Sequence, residues 1–369
     1  MPTDLKILNY TPPRISWFQR LSRLLDILKT SPHLNSHVQT LKLDLSSPII
    51  LKSLADRNWP SLKELHFRWI PSNDEQNQVL RNLQQLVASP GLRRLSLHFA
   101  GYAWSACYFK SIITHCSPSL TDLSLLGRDI GCDIPSKDCR QLTDSSNPTP
   151  KIASLSRLLL TSAAVPVLRD LAIPLDLTQV RTLSYQGLPG PASVGPIHLI
   201  CPKIKELKIV SQDPTLGVHF HLRDFRSLQT IEVQFSSYPK HDWRFFSEMD
   251  DDNQISELLI TSPHHEWQCR RGFTDCPGHS LGRQLDRVVL AKFPHLKKVM
   301  FEVFDSFGTD ADCPIFNRDA ILKHVHQALP RLTRRNIVSV MFSPIPVPFA
   351  EPEGRRKVRD AHEAAWQPH

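Results

Sequence analysis

The residues that most resemble a catalytic motif are Gly278-His-Ser-Leu-Gly282, a literal G-x-S-x-G. In α/β-hydrolases the central serine sits on a tight turn between a buried strand and a helix. The residues before Gly278, 271–277, lack the apolar pattern of a buried strand. Ser280 as the N-cap of a following helix explains the motif equally well, and Asp286 with downstream histidines is a combination common in any chain of this length. We predict a structural serine, with a hydrolase centred on Ser280 as the alternative.

A second candidate for chemistry is a group of possible zinc ligands, His264, His265, Cys269, Cys276 and His279. Histidine and cysteine are the usual zinc ligands, but structural sites take them from closely spaced pairs. Their spacing, H-x3/4-C-x6-C-x2-H, is not one of the tight arrangements that usually fix a tetrahedral site, so we predict a polar loop without a metal. The sequence also contains no phosphate-binding loop, dinucleotide fingerprint, H-E-x-x-H or C-x-x-C. We therefore predict no catalytic residue and no cofactor.

The elements that would position any site come from a repeated phrase, Pro-x-Leu-x-x-Leu-x-Leu, in which Ile, Val or Phe can replace Leu. It is clearest in Trp59-Pro-Ser-Leu-Lys-Glu-Leu-His-Phe67. The copies, given by their three apolar positions, are Leu62, Leu65 and Phe67; Leu92, Leu95 and Leu97; Leu120, Leu123 and Leu125; Leu168, Leu171 and Ile173; Ile204, Leu207 and Ile209; Leu228, Ile231 and Val233; Ile255, Leu258 and Ile260; and Leu296, Val299 and Phe301. A degenerate first copy holds Val38, Leu41 and Leu43, and a last one runs through Val338, Val340 and Phe342.

The spacing within each copy predicts a short strand. Its last two apolar residues are two apart, so both point to one face, and the proline in front disfavours helix. One such strand cannot bury its apolar face alone, so the copies must stack as parallel neighbours. Early copies recur about every 24 to 30 residues, near the period of a leucine-rich repeat, and Leu183 divides the longer interval between Leu171 and Leu207. The predicted fold is an α/β leucine-rich-repeat-like solenoid, a horseshoe with its parallel sheet on the concave side and helices on the convex side.

Helix and loop signals alternate between the copies. Apolar spacing predicts helices over 15–29, behind the capping box Ser72-x-x-Glu75, over 105–116, over 152–161, behind Ser280, and over 318–329 with Asn317 as N-cap. Polar or Gly/Pro-rich stretches at 127–150, 187–196 and 261–279 are predicted as loops or insertions. The domain organisation is then an N-terminal extension (1–16), an irregular solenoid (17–343), and a Pro-rich, basic, disordered tail (344–369).

The composition indicates an intracellular chain. Its 369 residues carry 44 Lys and Arg against 36 Asp and Glu, a formal charge of +8, with a pI of about 9.1. This mild surplus bears on association and solubility. The sequence contains no apolar run of about 18 residues, so no membrane span is predicted. The first residues lack the apolar core of a signal peptide. The eight cysteines show no disulfide-framework spacing. We predict the cytoplasm or the nucleus.

The segment 17–43 resembles the start of the repeat region in fungal F-box/leucine-rich-repeat-like proteins. It combines an amphipathic helix, Ser31-Pro-His-Leu34 and Val38-Gln-Thr-Leu-Lys-Leu43. Cys201-Pro202 and Phe293-Pro294 before Leu-x-x-Leu phrases also suit that family, and the resemblance covers roughly 17–342. It implies the substrate-binding repeat region of an SCF-type ubiquitin ligase receptor.

The F-box of that family, a helical module that binds the ligase adaptor, would lie before Trp17, where this sequence has sixteen residues. We therefore do not expect this chain alone to bind the adaptor. Two alternatives stay open. The F-box is missing from the sequence, or the protein is a free-standing repeat scaffold with no ligase link.

The residues that flank the two inward positions of each strand should face the concave side. They include four basic residues, Arg68, Arg94, Lys208 and Lys298, and seven acidic ones, Glu64, Asp122, Asp170, Glu206, Glu232, Glu257 and Glu302. The face therefore carries about −3 (four minus seven) while the chain carries +8, which argues against DNA or RNA in the concavity.

We therefore predict a protein partner on the concave face. The candidate partner-binding residues are His66, Arg68, Arg94, His98, Glu206, Lys208, Glu232, Glu257, Lys298 and Glu302. Strands about 4.8 Å apart should align His66, Ser96 and Ser124 in one row, and Arg68 and His98 in the next. The acidic C-terminal half favours a partner with Lys or Arg, so reversing Glu232 and Glu302 to Lys should slow association and leave the melting temperature nearly unchanged. The alternative is that these charges only solvate the sheet.

Overall fold

A computed structural model of the chain describes residues 3–7, 17–45, 48–69, 76–99, 106–127, 153–161, 164, 175–186, 197, 200–211, 222–235, 244–247, 249–263, 277–304 and 317–343. The strands are β1 (Thr3–Ile7), β2 (Val38–Leu45), β3 (Glu64–Trp69), β4 (Arg94–Phe99), β5 (Asp122–Gly127), β6 (Ala153–Ser154), β7 (Arg157–Thr161), β8 (Leu175–Asp176), β9 (Thr182–Gln186), β10 (Glu206–Ser211), β11 (Thr230–Phe235), β12 (Glu257–Pro263), β13 (Lys298–Phe304) and β14 (Val338–Ser343). The helices are α1 (Trp17–Thr30), α2 (Pro48–Ala55), α3 (Gln76–Val87), α4 (Ala106–Ile113), α5 (Arg244–Ser247), α6 (Pro277–Lys292), α7 (Arg318–Ala328) and α8 (Pro330–Arg334). Short 3-10 turns lie at Pro32–His37, Leu177–Gln179, Cys201–Lys203 and Leu222–Asp224.

Twelve of the described strands form one sheet in chain order, β1-β2-β3-β4-β5-β7-β9-β10-β11-β12-β13-β14. Every pair in it is parallel. The two-residue strands β6 and β8 pair separately. A parallel sheet of sequential strands is the predicted fold class, which is confirmed and is consistent with a leucine-rich-repeat-like solenoid.

The inward face of the sheet is the core. Leu65, Leu95 and Leu123 lie side by side in β3, β4 and β5, and none is more than 2% exposed. Helix residues such as Val79 and Leu83 of α3 belong to the same buried cluster. The core therefore runs along the sheet, each repeat packing on its chain neighbours.

A β-turn precedes each clear strand. The amide of the first leucine closes it, with Leu62 N donating to Trp59 O at 3.2 Å, Leu92 N to Ser89 O at 3.1 Å and Leu120 N to Ser117 O at 3.1 Å. The proline occupies the second position of the turn, where its fixed φ is favourable. Trp59, the buried first residue of its turn, donates Nε1–H to Leu54 O at 2.9 Å. The proline of the repeat thus fixes a turn as well as blocking helix.

A backbone ladder joins the starts of the strands. Arg93 N and Arg94 N both donate to Lys63 O, at 2.8 and 2.9 Å, and this pattern repeats to Lys297. The residues that form the ladder, here called the edge row, are Gln39, Lys63, Arg93, Thr121, Ser156, Arg181, Lys205, Gln229, Ser256 and Lys297. Because each carbonyl accepts from the next copy, the ladder fixes the register of the repeats.

Residues 152–161 do not form the predicted helix. Arg157–Thr161 is a strand between β5 and β9, and Leu158 and Leu160 are buried. Leu155, Leu158 and Leu159 have helical spacing, but Leu155, Leu158 and Leu160 also repeat the strand phrase without its proline. Pairing on both edges outweighs the local pattern.

The other predicted helices are present, and one of them begins earlier than predicted. The helices predicted over 15–29, 105–116 and 318–329 correspond to α1, α4 and α7, and Asn317 Oδ1 accepts the N–H of Ala320 at 3.0 Å, which confirms the predicted cap. The helix predicted behind Ser280 begins earlier, at Pro277, because proline suits a first helical turn. Ser280 therefore lies inside the first turn and is not the N-cap.

The sheet also extends into the segment predicted as an N-terminal extension, since β1 pairs with β2. Between β7 and β11 the described parts of the crossovers hold 3-10 turns. The capping box at Ser72, the copy at Leu168, most of the predicted loops and the tail at 344–369 lie outside the described residues. Within the described ranges, no helix combines the length and apolarity needed to cross a membrane.

Candidate functional site

The outward side chains of the sheet form the predicted rows. His66, Ser96 and Ser124 are partners in adjacent strands, and so are Arg68 and His98. From β3 to β5 the inward residues are buried, whereas most of the outward ones are half-buried or exposed. We call this outward surface of the sheet the open face.

Arg94 links two carboxylates across three strands of the open face. Its Nη1 donates to Glu64 Oε1 at 2.9 Å and its Nε donates to Asp122 Oδ2 at 3.0 Å. Asp122 Oδ1 also accepts from Ser156 Oγ at 3.2 Å. The guanidinium, predicted as a partner-binding group, is therefore paired within the sheet.

The carboxyl group of Glu64, on the open face, has a pKa below its ordinary value. His66, two residues along the same strand, lowers the pKa of Glu64, and Arg94 lowers it further, while partial burial opposes the shift. His66 Nε2 lies 3.7 Å from Glu64 Oε2, a distance that fits an electrostatic contact rather than a short hydrogen bond. Glu64 is thus held ionised at neutral pH.

The charges of the C-terminal half also pair with their neighbours. Lys208 and Glu232 are partners in β10 and β11, and their side chains form an ion pair. Thr182 Oγ1 donates to Glu206 Oε2 at 3.2 Å. Lys208, Glu232 and Glu206 are therefore ion-paired or hydrogen-bonded within the sheet.

Glu302 differs from the prediction of an accessible carboxylate. It is only 6% exposed, and it accepts hydrogen bonds from Thr261 Oγ1 at 3.1 Å and Ser343 Oγ at 2.6 Å. Beside it the outward residues Leu259, Met300 and Met341 form a small buried apolar cluster. The open face is therefore buried around Glu302, and reversing Glu302 is expected to affect stability.

The remaining predicted site residues stay on the open face. Arg68 is exposed, and His98, Glu257 and Lys298 are half-buried. Glu257 and Lys298 are partners in β12 and β13, so two opposite charges stand side by side there.

The sequence prediction missed the edge row. Lys63, Arg93, Arg181, Lys205 and Lys297 are all exposed, and none of the ten residues of the row is acidic. The sequence does carry a signal for it, because each member directly follows the first apolar position of its copy. The predicted charge of the concave face counts only the outward positions of the strands, and the edge-row residues are not among those positions.

The residues of the hydrolase hypothesis have structural partners. A Cβ added at Gly282 would lie 2.4 Å from the Cβ of Ala328, so the glycine permits close packing of α6 and α7. Asp286 is 3% exposed and accepts the N–H groups of Leu332 at 2.9 Å and Arg331 at 3.2 Å. Asp286 therefore caps the N-terminus of α8.

Four of the five candidate zinc ligands, His264, His265, Cys269 and Cys276, lie outside the described residues. His279 lies in the first turn of α6. Cys116 and Cys201 are free and buried. Burial raises the pKa of both thiols, that of Cys201 to about 12, so both stay protonated and unreactive at neutral pH.

No family model matches the chain, and no curated protein matches it. A crystal structure of a Bacteroides fragilis protein from a structural genomics consortium is similar over 89% of this chain and 84% of that one. The sequence identity is 13% and the TM-score is 0.40, values at which the likeness assigns neither a family nor a function.

Proposed function

We propose that the protein is a non-enzymatic scaffold that recognises a protein partner through the open face of its sheet. The observation that supports this most is the register of the outward rows, in which equivalent residues of consecutive repeats stand side by side. Solenoids use such extended surfaces for binding, because a rigid sheet holds many side chains at fixed spacing.

The centre of the proposed contact is an uncharged strip on β4, β5, β7 and β9. It consists of Ser96, Ser124, Leu159 and Ser184, which are consecutive partners in the sheet and are all half-buried. The paired charges of Arg94 and its carboxylates border it. An uncharged centre with a polar rim is the usual arrangement of a protein interface.

The resemblance to F-box/leucine-rich-repeat-like proteins suggests a finer proposal, a substrate-binding region of an SCF-type ubiquitin ligase receptor. The alternative is a scaffold with no ligase link. The half-life of the partner distinguishes them, because a ligase substrate becomes longer-lived when this protein is deleted from the cell. An unchanged half-life favours the free-standing scaffold.

The open face is tested by filling the strip. Ser96→Trp with Ser124→Trp places two bulky side chains on it, and Gln85→Trp with Gln327→Trp places two on exposed helix positions as the matched control. We expect a partner that co-purifies with the wild type and the control to be lost from the strip variant, and the same difference in calorimetry with the purified partner. Equal binding by all three proteins would exclude the strip.

A further inference from the structure

The positive side chains of the edge row differ from those of the open face in their partners. Among the residues that the structure describes, no carboxylate forms an ion pair with Lys63, Arg93, Arg181 or Lys205, whereas open-face cations such as Arg94 are paired. Lys63 Nζ instead donates to Gln39 Oε1 at 3.2 Å. These four side chains are exposed, while their backbones are held by the ladder. The result is a row of available positive charge on a rigid support.

The spacing of the row gives it a length. Lys63 leads into β3 and Lys205 leads into β10, and five strand spacings separate the two strands. At about 4.8 Å per spacing the row spans roughly 24 Å, which an extended chain of about eight residues covers. A shallow groove follows part of this edge, lined by Gln39, Pro60, Ser61, Lys63, Gly91, Arg93 and Ser119. At Gly91 a Cβ would meet Leu62 O at 3.2 Å, so backbone forms the floor there.

We infer that the edge row from Lys63 to Lys205 binds an acidic, extended segment of polypeptide. Two positive pairs, Lys63 with Arg93 and Arg181 with Lys205, flank the uncharged Thr121 and Ser156. The row is one residue wide, which suits a single chain with carboxylates along it. Beyond Lys205 the row continues through the uncharged Gln229 and Ser256. This surface is separate from the open face, so neither proposal depends on the other.

Two observations favour polypeptide over nucleic acid. Single-stranded nucleic acid binding relies on aromatic side chains that stack with bases, and the exposed large hydrophobic residues of the described chain are Ile27 and Ile49, neither of them aromatic. A duplex presents phosphates on both sides of a groove about 12 Å wide, whereas the edge row is one residue wide and the row beside it carries charges of both signs, Glu64, Arg94 and Asp122.

The experiment measures fluorescence anisotropy of a labelled peptide of about ten alternating Glu and Ser residues at about 50 mM salt. The row variant is K63Q/R93Q/R181Q/K205Q. The matched control, K52Q/R81Q/R287Q/K323Q, removes the same charge from exposed helix positions. We expect the row variant to bind at least about tenfold more weakly and the control to change less than about twofold.

Three results would overturn the inference: no peptide binding by the wild type, equal loss in both variants, or tighter, row-dependent binding of a single-stranded DNA oligonucleotide. Circular dichroism checks that each variant is folded. If the quadruple row variant does not fold, K63Q/R93Q and R181Q/K205Q are measured separately, and each is expected to weaken peptide binding by at least about threefold.

Discussion

Gly282 of α6 lies directly against Ala328 of α7, so that a Cβ at position 282 would be 2.4 Å from the Cβ of Ala328. Real side-chain atoms do not approach this closely, so the two helices can pack as they do only because position 282 has no side chain. The second glycine of G-x-S-x-G is therefore accounted for by helix packing, without reference to catalysis.

Gly282→Ala should lower the free energy of unfolding by about 1–3 kcal/mol, because the added methyl overpacks the contact with Ala328. Urea denaturation measures the change. Ala328→Gly alone should cost about 1 kcal/mol through helix propensity, and the double variant G282A/A328G should be more stable than G282A. Strictly additive effects of the two substitutions would show that the residues do not touch.

Asp286→Ala should destabilise the protein by about 1–3 kcal/mol, since it leaves the N–H groups of Arg331 and Leu332 without their acceptor. The loss should appear in thermal melts as a lower midpoint. Asp286→Asn keeps one oxygen acceptor and should recover part of it. Asp252→Ala, at an exposed position, is the control and should leave the midpoint nearly unchanged.

Ser280 should not react with a fluorophosphonate probe in the folded protein. The serine stands inside the first turn of α6, and Asp286, the nearest acid of the hydrolase hypothesis, is occupied in capping α8. Mass spectrometry of the treated protein gives the stoichiometry. Labelling of one site per chain that disappears in Ser280→Ala would restore the hydrolase.

Glu64 should contribute a pH-dependent increment of stability. Its pKa is lower in the folded state than the value of about 4.3 in an unfolded chain, so the contribution is complete above that value and is lost as the pH falls through the folded pKa. Glu64→Gln should be less stable than the wild type at pH 7, by less than about 1 kcal/mol because the pair is partly exposed.

Urea titrations of both proteins at pH 7 and about pH 3 test this, with the difference expected to shrink at the lower pH. Arg94→Gln provides the matched background, where Glu64→Gln should have a smaller effect. A difference that stays constant across this range would contradict the role of the charge.

Glu302→Lys should lower the free energy of unfolding by more than about 2 kcal/mol, because it places a longer, positive side chain at a buried position and leaves Thr261 and Ser343 without their acceptor. Glu232→Gln, at a half-exposed ion pair, should cost less than about 1 kcal/mol. Thermal unfolding of the two variants compares them directly. Equal melting temperatures would mean that Glu302 is accessible, as the sequence alone suggested.

The strands were predictable from the sequence because their signal is local. Leu65 and Phe67 are two residues apart, and a turn built on Pro60 precedes them, so periodicity and turn chemistry agree. The strand at Leu158 and Leu160 was missed because it lacks the proline and because Leu155 and Leu159 add helical spacing. Its structure depends on β5 and β9, which the local sequence does not show.

The candidate sites were less predictable because residues distant in the sequence determine whether a charged side chain is exposed, buried or hydrogen-bonded. Alternation along a strand correctly placed Glu302 on the outward side, but only Thr261 and Ser343, 41 residues away in either direction, make it a buried acceptor. Asp286 receives its function from residues 45 and 46 positions later. The edge row, by contrast, was accessible to sequence reasoning, since its members share one position of the repeat.

The chain order of the main sheet has a consequence for synthesis. Each of its strands pairs only with the nearest main-sheet strands before and after it, so a strand can be added as soon as its own repeat has left the ribosome. Among the described strands of the main sheet, none pairs beyond its neighbours in that order, so loop-closure costs stay small at each addition. The nascent protein can therefore grow its core one repeat at a time. The newest strand is the growing edge of the sheet, and its unpaired N–H and C=O groups need shielding while synthesis continues.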